Sequence, residues 1–330
     1  FQNGKINLLK AESVADLISA ETEIQRKQAI KIMKGKSSEK FNGLRNKLLK
    51  ILSFMEAKID FPEEDLPDAK LEEIKKSSNE AINEIVKILD DQKVGEIIRE
   101  GFKIAIVGPT NAGKSSLLNN LSNREVAIVS ETAGTTRDVV ETHLNIDGYP
   151  VIISDTAGIR DSKDEIEKKG IKLSLKKADE ADLNIMILEP KNKQNSEFLK
   201  KYFNKKTILA VNKIDKKNYK MSSKLMHYNP TLLSIRNKKN IESLIKKIKT
   251  KIKNRFKGSE NILVTRARHR QNLEDCLLNL KNFVNQKYND EFDKGAEDLR
   301  LACRSLGKIT GKVDVEEILD SIFNDFCIGK

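Results

Sequence analysis

"IAIVGPTNAGKSSLLNNLSN", residues 104 to 123, sets four apolar residues ahead of a turn built on two glycines, a lysine and two serines. The turn fits G-x-x-x-x-G-K-[ST] at Gly108, Gly113, Lys114 and Ser115, after a run that reads as a strand and before one that reads as a helix. The glycines let backbone amides face inward as an anion nest, and the helix start adds the positive end of its dipole. Lys114 then reaches the outer phosphates of a nucleotide and the Ser115 hydroxyl is placed for Mg²⁺, while Asn111, Ala112, Gly113 and Ser116 line the rest of the loop. Phosphate binding alone does not name the base.

"NKID" at 212 to 215, at the end of the apolar run "TILAV", does name it. Asp215 can accept two hydrogen bonds from N1 and N2 of guanine, with Asn212 and the stem of Lys213 lining the ring; adenine lacks that donor pair, so GTP is favoured. "DTAG" at 155 to 158 closes the run "VIIS" and puts Asp155 near Mg²⁺ and the Gly158 amide near the third phosphate. "ETAGTTRD", 131 to 138, falls where GTPases keep the segment that senses that phosphate; Thr136, in preference to Thr135, is the expected Mg²⁺ ligand. Beneath the base a serine, an alanine and a basic residue are expected, and the chain offers Ser234, Ile235 and Arg236. The glutamine that many GTPases place just after D-x-x-G to orient water is replaced by Ile159. Asp161, Asp164, Glu165 and Glu167 follow it, and spacing does not choose among them.

Around this module the grammar changes. From residue 8 to about 100 apolar residues recur three and four apart, as in Leu48, Leu49, Leu52, Met55 and Ile59, which predicts three long helices, with a break at "DFPEEDLPD", 60 to 68. From 102 to about 256 short apolar runs ("FKIAIVG", "PVIISD", "LNIMILE", "TILAVN", "TLLSI") alternate with amphipathic stretches, the pattern of a mostly parallel sheet covered by helices. After "KGSEN" the helical period returns. The reading is an α/β P-loop GTPase domain, 101–258, inserted into a discontinuous all-α domain whose halves are 1–100 and 259–330.

The 330 residues, 38% of them hydrophobic, suffice for these two domains. The chain opens on Phe1 in helical spacing, so further sequence N-terminal to it is expected. No run reaches the roughly 18 to 20 apolar residues of a membrane span and no basic-then-apolar leader is present, which points to the cytoplasm and away from a membrane. Cys276, Cys303 and Cys327 are too few and too scattered for a disulfide framework or a CxxC zinc site. The net charge of +12 is compatible with a nucleic-acid partner, but with lysines spread over many helical faces it reads first as solvated surface.

"NGKINLLKAESVADLI", "AKIDFPEED", "GPTNAGKSSLLN", "AIVSETAGTTRDVV", "DTAGIRDSKDEIEKKGI", "NKID" and the closing "FCIGK" together resemble the tRNA modification GTPase family of the MnmE (TrmE) type over essentially the whole chain. The GTPase motifs are shared with ribosome-assembly GTPases such as Era and EngA; the helical flanks and "FCIGK" are the specific part. The resemblance implies a potassium ion held by Asn111 and by carbonyls of the loop at Ser130, Thr132 and Thr135, sited where an arginine finger would act. It implies that Glu167 orients the attacking water through a second water, with Lys114 and the Gly158 amide as the other catalytic groups. It implies homodimerisation of the GTPase domains across the nucleotide face, and a joint reaction with an FAD-dependent partner of the MnmG (GidA) type on carbon 5 of the wobble uridine of tRNA. The family's folate-binding N-terminal domain precedes "NGK", so folate enters only with that domain. Cys327 in "CIGK" is a candidate at the modification site; a packed terminal cysteine and a prenylated C-terminal box are the rival readings, and Gly329 and Lys330 fit the box badly. Two other functions stay open: a ribosome-assembly GTPase, which would need an RNA-binding module whose GxxG turn is not found, and a GTP-gated scaffold that turns nothing over.

Overall fold

The computed structural model describes residues 1, 3–60, 68–124, 126–127, 140–155, 176–190, 195–216, 223–257, 262–285 and 292–312. The chain divides into two units: Phe1–Ala20, Gln25–Arg99 and Gly258–Lys330 form the first, and Glu21–Ile24 with Glu100–Lys257 the second.

In the helical unit the described residues of the first half form five helices where the sequence pattern predicts three: α1 (Leu8–Ile18), α2 (Glu23–Met33), α3 (Lys36–Asp60), α4 (Asp68–Leu89) and α5 (Val94–Glu100). The extra breaks have local causes that periodicity does not register. The Asn7 side chain caps α1 by accepting from the Lys10 N–H at 2.9 Å. Gly35, at φ +96°, follows α2 in a conformation that a side chain would resist. Gln92 and Lys93, both at positive φ, turn the chain between α4 and α5. The second half contributes α10 (Ala267–Asn285) and α11 (Phe292–Thr310). One apolar core takes Phe41, Leu44 and Leu48 from α3, Ile85 from α4, Leu273 and Phe283 from α10 and Leu299 and Leu306 from α11, so residues separated by the whole inserted module are buried together.

Among the described residues the second unit holds a seven-stranded sheet in the order β2-β3-β4-β1-β5-β6-β7. The strands are β1 (Phe102–Val107), β2 (Val126–Ala127), β3 (Val140–Ile146), β4 (Tyr149–Asp155), β5 (Leu183–Leu188), β6 (Thr207–Val211) and β7 (Thr231–Leu232). Between them run α6 (Lys114–Arg124), α7 (Asn195–Tyr202) and α8 (Ser223–Met226), and α9 (Ile241–Arg255) closes the unit. The pairs β1/β4, β1/β5, β5/β6 and β6/β7 are parallel; β2/β3 and β3/β4 are antiparallel. β1 and β5 are buried almost throughout, as strands covered on both faces must be. Phe256, just past α9, stacks on Tyr149 with ring centroids 4.8 Å apart.

Candidate nucleotide-binding site

In an open parallel sheet the ligand crevice lies beyond the carboxyl ends of the strands, where the strand order reverses. Here that place is the end of β1, with β4 on one side and β5 on the other. The loop from Gly108 to Gly113 leaves β1 there and runs into the first turn of α6. Its glycines are demanded by close approach as well as by backbone freedom. A Cβ on Gly108 would stand 2.1 Å from the Ile187 carbonyl oxygen of β5. A Cβ on Gly113, whose φ is +107°, would stand 2.4 Å from Asn212 Nδ2. The cradle is thus pressed against the neighbouring strand and against the first residue of "NKID".

Asn212 joins two loops. Its Nδ2 donates to the Ala112 carbonyl at 2.9 Å, and its Oδ1 accepts from the Ile235 N–H at 3.1 Å. Asn212 is 4% exposed, so both bonds are shielded from water. One amide therefore ties the phosphate loop, the end of β6 and the loop after β7 together. The contact uses the Ile235 backbone, and the Ile235 side chain is buried. Ser234 Oγ donates to Asp215 Oδ1 at 2.5 Å, which holds the exposed Asp215 carboxyl below its ordinary range and keeps it an acceptor. Lys213 Nζ donates to the Asn111 carbonyl at 2.5 Å and to Glu189 Oε1; Lys216 Nζ reaches Glu189 Oε2 at 3.3 Å. Burial alone would raise the Glu189 carboxyl, but the hydrogen bonds from Lys213 and Lys216 outweigh it and hold the group below its ordinary value.

Lys114 Nζ donates to the carbonyls of Gly108, at 2.9 Å, and Pro109, at 3.0 Å, folding its ammonium over the loop. Ser115 and Ser116 stand exposed on the first turn of α6, and Asn111 is exposed at φ +63°. Asp155 ends β4 in register with Ile106 of β1, one residue from the strand end that feeds the loop. The structure thus brings together Asn111, Ala112, Gly113, Lys114, Ser115, Ser116, Asn212, Lys213, Asp215 and Ser234. Ser130, Thr132, Thr135, Thr136, Gly158, Glu167 and Cys327 lie outside the described residues. The sequence motifs do not single out Glu189; its signal is the carboxylate that ends the apolar run "LNIMILE", where a charge just past a buried strand calls for a partner.

The cradle fits a nucleotide, since the space that a Cβ would take at Gly108 or Gly113 is already held by Ile187 or Asn212 and only a bare backbone passes. The exposed Ser115 hydroxyl and Asn111 amide are oxygen donors of the type that hard cations take.

The chain is similar to known proteins over its whole length. The family model for the MnmE helical domain matches residues 8–327. The tRNA modification GTPase MnmE of Pelagibacter ubique is 69% identical over 330 residues, covering 100% of this chain and 74% of that protein. The tRNA modification GTPase MnmE of Rickettsia bellii is 42% identical over 337 residues, again with 100% of this chain and 74% of that protein covered. Among solved structures, Era of Aquifex aeolicus bound to GDP and AlF4⁻ is 27% identical over 57% of this chain and 68% of its own, with a TM-score of 0.36. The chain belongs to the MnmE family of tRNA modification GTPases.

Proposed function

We propose that the chain carries out a potassium-activated hydrolysis of GTP that serves modification of carbon 5 of the wobble uridine of tRNA, jointly with an FAD-dependent partner of the MnmG type. The observation that carries the GTP part is the Asn212 bridge, which makes the phosphate cradle and the guanine-reading loop one unit. In that reading Asp215, kept ionised by Ser234, accepts from guanine N1 and N2, and the Lys213 stem covers the ring. Lys114 exchanges its carbonyl partners for the outer phosphate oxygens, a change that water exclusion makes worth more than in bulk solvent. The oxygen of a water then attacks the terminal phosphorus, the bond to the β–γ bridging oxygen breaks, the electron pair stays with GDP, and the proton leaves with phosphate. Glu167 orients that water, and the Gly158 amide donates to the terminal phosphate.

When bound, Mg²⁺ and K⁺ supply positive charge against the charge that develops on the bridging and terminal oxygens. Ser115 and Thr136 would hold the first, and Asn111 with Ser130, Thr132 and Thr135 the second. Hydrolysis accompanies closing of two GTPase units across the nucleotide face.

The test is phosphate release with Mg²⁺ in KCl and in NaCl. Turnover above a Lys114→Ala control, faster in potassium and no longer salt-selective in Asn111→Ala, is the expected result. Absence of turnover would leave a GTP-gated scaffold, and equal rates in the two salts would remove potassium from the mechanism. Mass spectrometry of wobble uridines from a deletion strain carrying the gene checks the tRNA step.

A further inference from the structure

Residues 241–257, α9 and the two that follow, carry seven basic residues and one acid, Glu242, a net of +6 in a chain whose total is +12. The other long helices are less basic: α3 carries six basic residues against three acids over 25 residues. α4 carries five acids against four lysines, and α11 three acids against four basic residues. The buried side of α9 is Ile241, Leu244, Ile245, Ile248 and Ile252. Counting 100° per residue from there, Lys246 and Lys253 fall within about 60° of the middle of the opposite face, Lys251 stands exposed just past the edge of that face, and Lys257 follows the end of the helix, also exposed. Along the axis Lys246 and Lys253 are about 10 Å apart. The two nearest carboxylate contacts are both spent on Asp147, which pairs with Lys249 at 2.9 Å and Lys253 at 3.4 Å. Among the described residues Lys246, Lys251 and Lys257 have no acidic partner.

Like charges held in a row repel one another, so a row of this kind is a cost to the free protein that an anionic partner removes. We propose that this face of α9 docks the phosphate backbone of RNA. The proposal rests on the reading that the chain serves tRNA modification, which supplies a polyanion as partner. The face suits phosphate rather than a lipid surface: between the lysines it presents Ser243, Thr250 and Asn254, and none of the exposed large hydrophobic residues lies in it, so nothing on it would enter acyl chains. It offers no aromatic ring for base stacking, so the contact is to backbone and indifferent to sequence.

The experiment is a fluorescence-anisotropy titration of the full chain with an unmodified tRNA transcript over a range of KCl around about 150 mM. The variants are Lys246→Glu/Lys251→Glu/Lys257→Glu and the milder Lys246→Gln/Lys251→Gln/Lys257→Gln. Lys75→Glu/Lys76→Glu/Lys87→Glu on α4 makes the same charge change elsewhere. Each lost phosphate contact lowers the slope of log Kd against log salt by about 1, so the Gln variant should reduce it by about 2 to 3 and weaken binding by about 10-fold or more, with the α4 variant near wild type. GDP binding and basal phosphate release should stay unchanged in all three. The proposal fails if wild type does not bind tRNA, if the slope is unchanged, or if the α4 variant loses as much. It also fails if the α9 variants keep tRNA but lose the FAD-dependent partner or vesicles of phosphatidylserine and phosphatidylcholine. None of these outcomes touches the GTPase reading, which stands or falls on phosphate release.

Discussion

Replacing Asn212 by alanine removes one amide and leaves two buried backbone groups unpaired. The Ala112 carbonyl loses its donor at 2.9 Å and the Ile235 N–H loses its acceptor at 3.1 Å. Ala112 is 0% exposed and Ile235 8%, so water cannot take over while the loops stay in place. Each orphaned group costs about 1 to 3 kcal/mol, and relaxation recovers part of it. In the free protein the two loops relieve that cost by parting and admitting water. Nucleotide binding needs them together again, so the cost reappears as lost affinity. A net of about 2 to 4 kcal/mol corresponds to GDP bound about 30- to 1,000-fold more weakly. The assay is titration with a fluorescent GDP analogue in Mg²⁺ buffer, with circular dichroism to show that the fold is kept. Asn212→Asp keeps the acceptor for Ile235 but turns a carboxylate toward the Ala112 carbonyl, and should bind no better than the alanine variant. GDP affinity within about threefold of wild type in a folded Asn212→Ala protein would refute the argument, because the bridge would then not be what couples the two loops.

Gly113→Ala forces a Cβ to 2.4 Å from Asn212 Nδ2 at a φ of +107° that L residues rarely adopt; GDP affinity should fall at least about 10-fold, checked by the same titration. Glu167→Ala should cut turnover by about 10² to 10⁴ and leave the GTP dissociation constant unchanged, since an oriented water matters only in the transition state. Asp164→Ala and Glu165→Ala are its controls, and equal slowing in them would reassign the role. In the helical unit, burial pushes the pKa of His269 below its ordinary 6.5 against the pull of Glu12. Burial also pushes Glu12 up from 4.5, but hydrogen bonds from His269 and Arg268 hold it below that value. Both folded values are depressed, so the stability they contribute is present above the ordinary values and is lost on acidification, first below about 6.5 and then more steeply below about 4.5. His269→Gln, which keeps a donor toward Glu12 and cannot take a proton, should flatten the urea midpoint between pH 6.5 and 4.5, and an unchanged slope would place the titration elsewhere.

The site was legible in the sequence where the chemistry needs particular residue types at particular spacing. Gly108, Gly113, Lys114 and Ser115 announce a phosphate loop because only a bare backbone and a following helix make that nest, and Asn212 to Asp215 announce guanine. What the spacing did not carry was the packing between the two motifs. Asn212 reads in the sequence as a wall of the base pocket, and its amide also makes the bond between loops that lie far apart in sequence. The strand β3 escaped for a similar reason. "VETHLNI" alternates apolar and polar residues, as an antiparallel strand with one wet face does, whereas buried parallel strands show as continuous apolar runs. The helix count failed where the breaks rest on single caps and positive φ values, which hydrophobic period does not record.

The helical unit poses the harder question of why two stretches, parted by an entire α/β module, find one register. Apolar stripes alone do not fix it, since Leu273, Cys276, Leu280 and Phe283 on α10 repeat at helical spacing and a slip by one turn would bury similar residues. The run "RARHR", 266 to 270, fixes what the stripe leaves free. Cations at the start of a helix oppose its dipole, and α10 has no acid in its first turn, so their anions must come from elsewhere. They come from the first half. Glu12 on α1, 2% exposed, accepts from Arg268 at 2.6 Å through both oxygens and meets His269 Nε2 at 3.0 Å. Arg266 reaches Asp16 at 2.7 Å, and Arg270 clasps Asp91, Glu96 and the Leu89 carbonyl around the turn that enters α5. Buried ion pairs add little net stability over apolar packing, but stranding one partner costs about 3 to 5 kcal/mol. A one-turn slip of α10 would strand Glu12, Asp91 and Glu96 at once. The charged set therefore acts against the wrong registers more than in favour of the right one, and that is how a domain cut in two by an insertion closes in a single way.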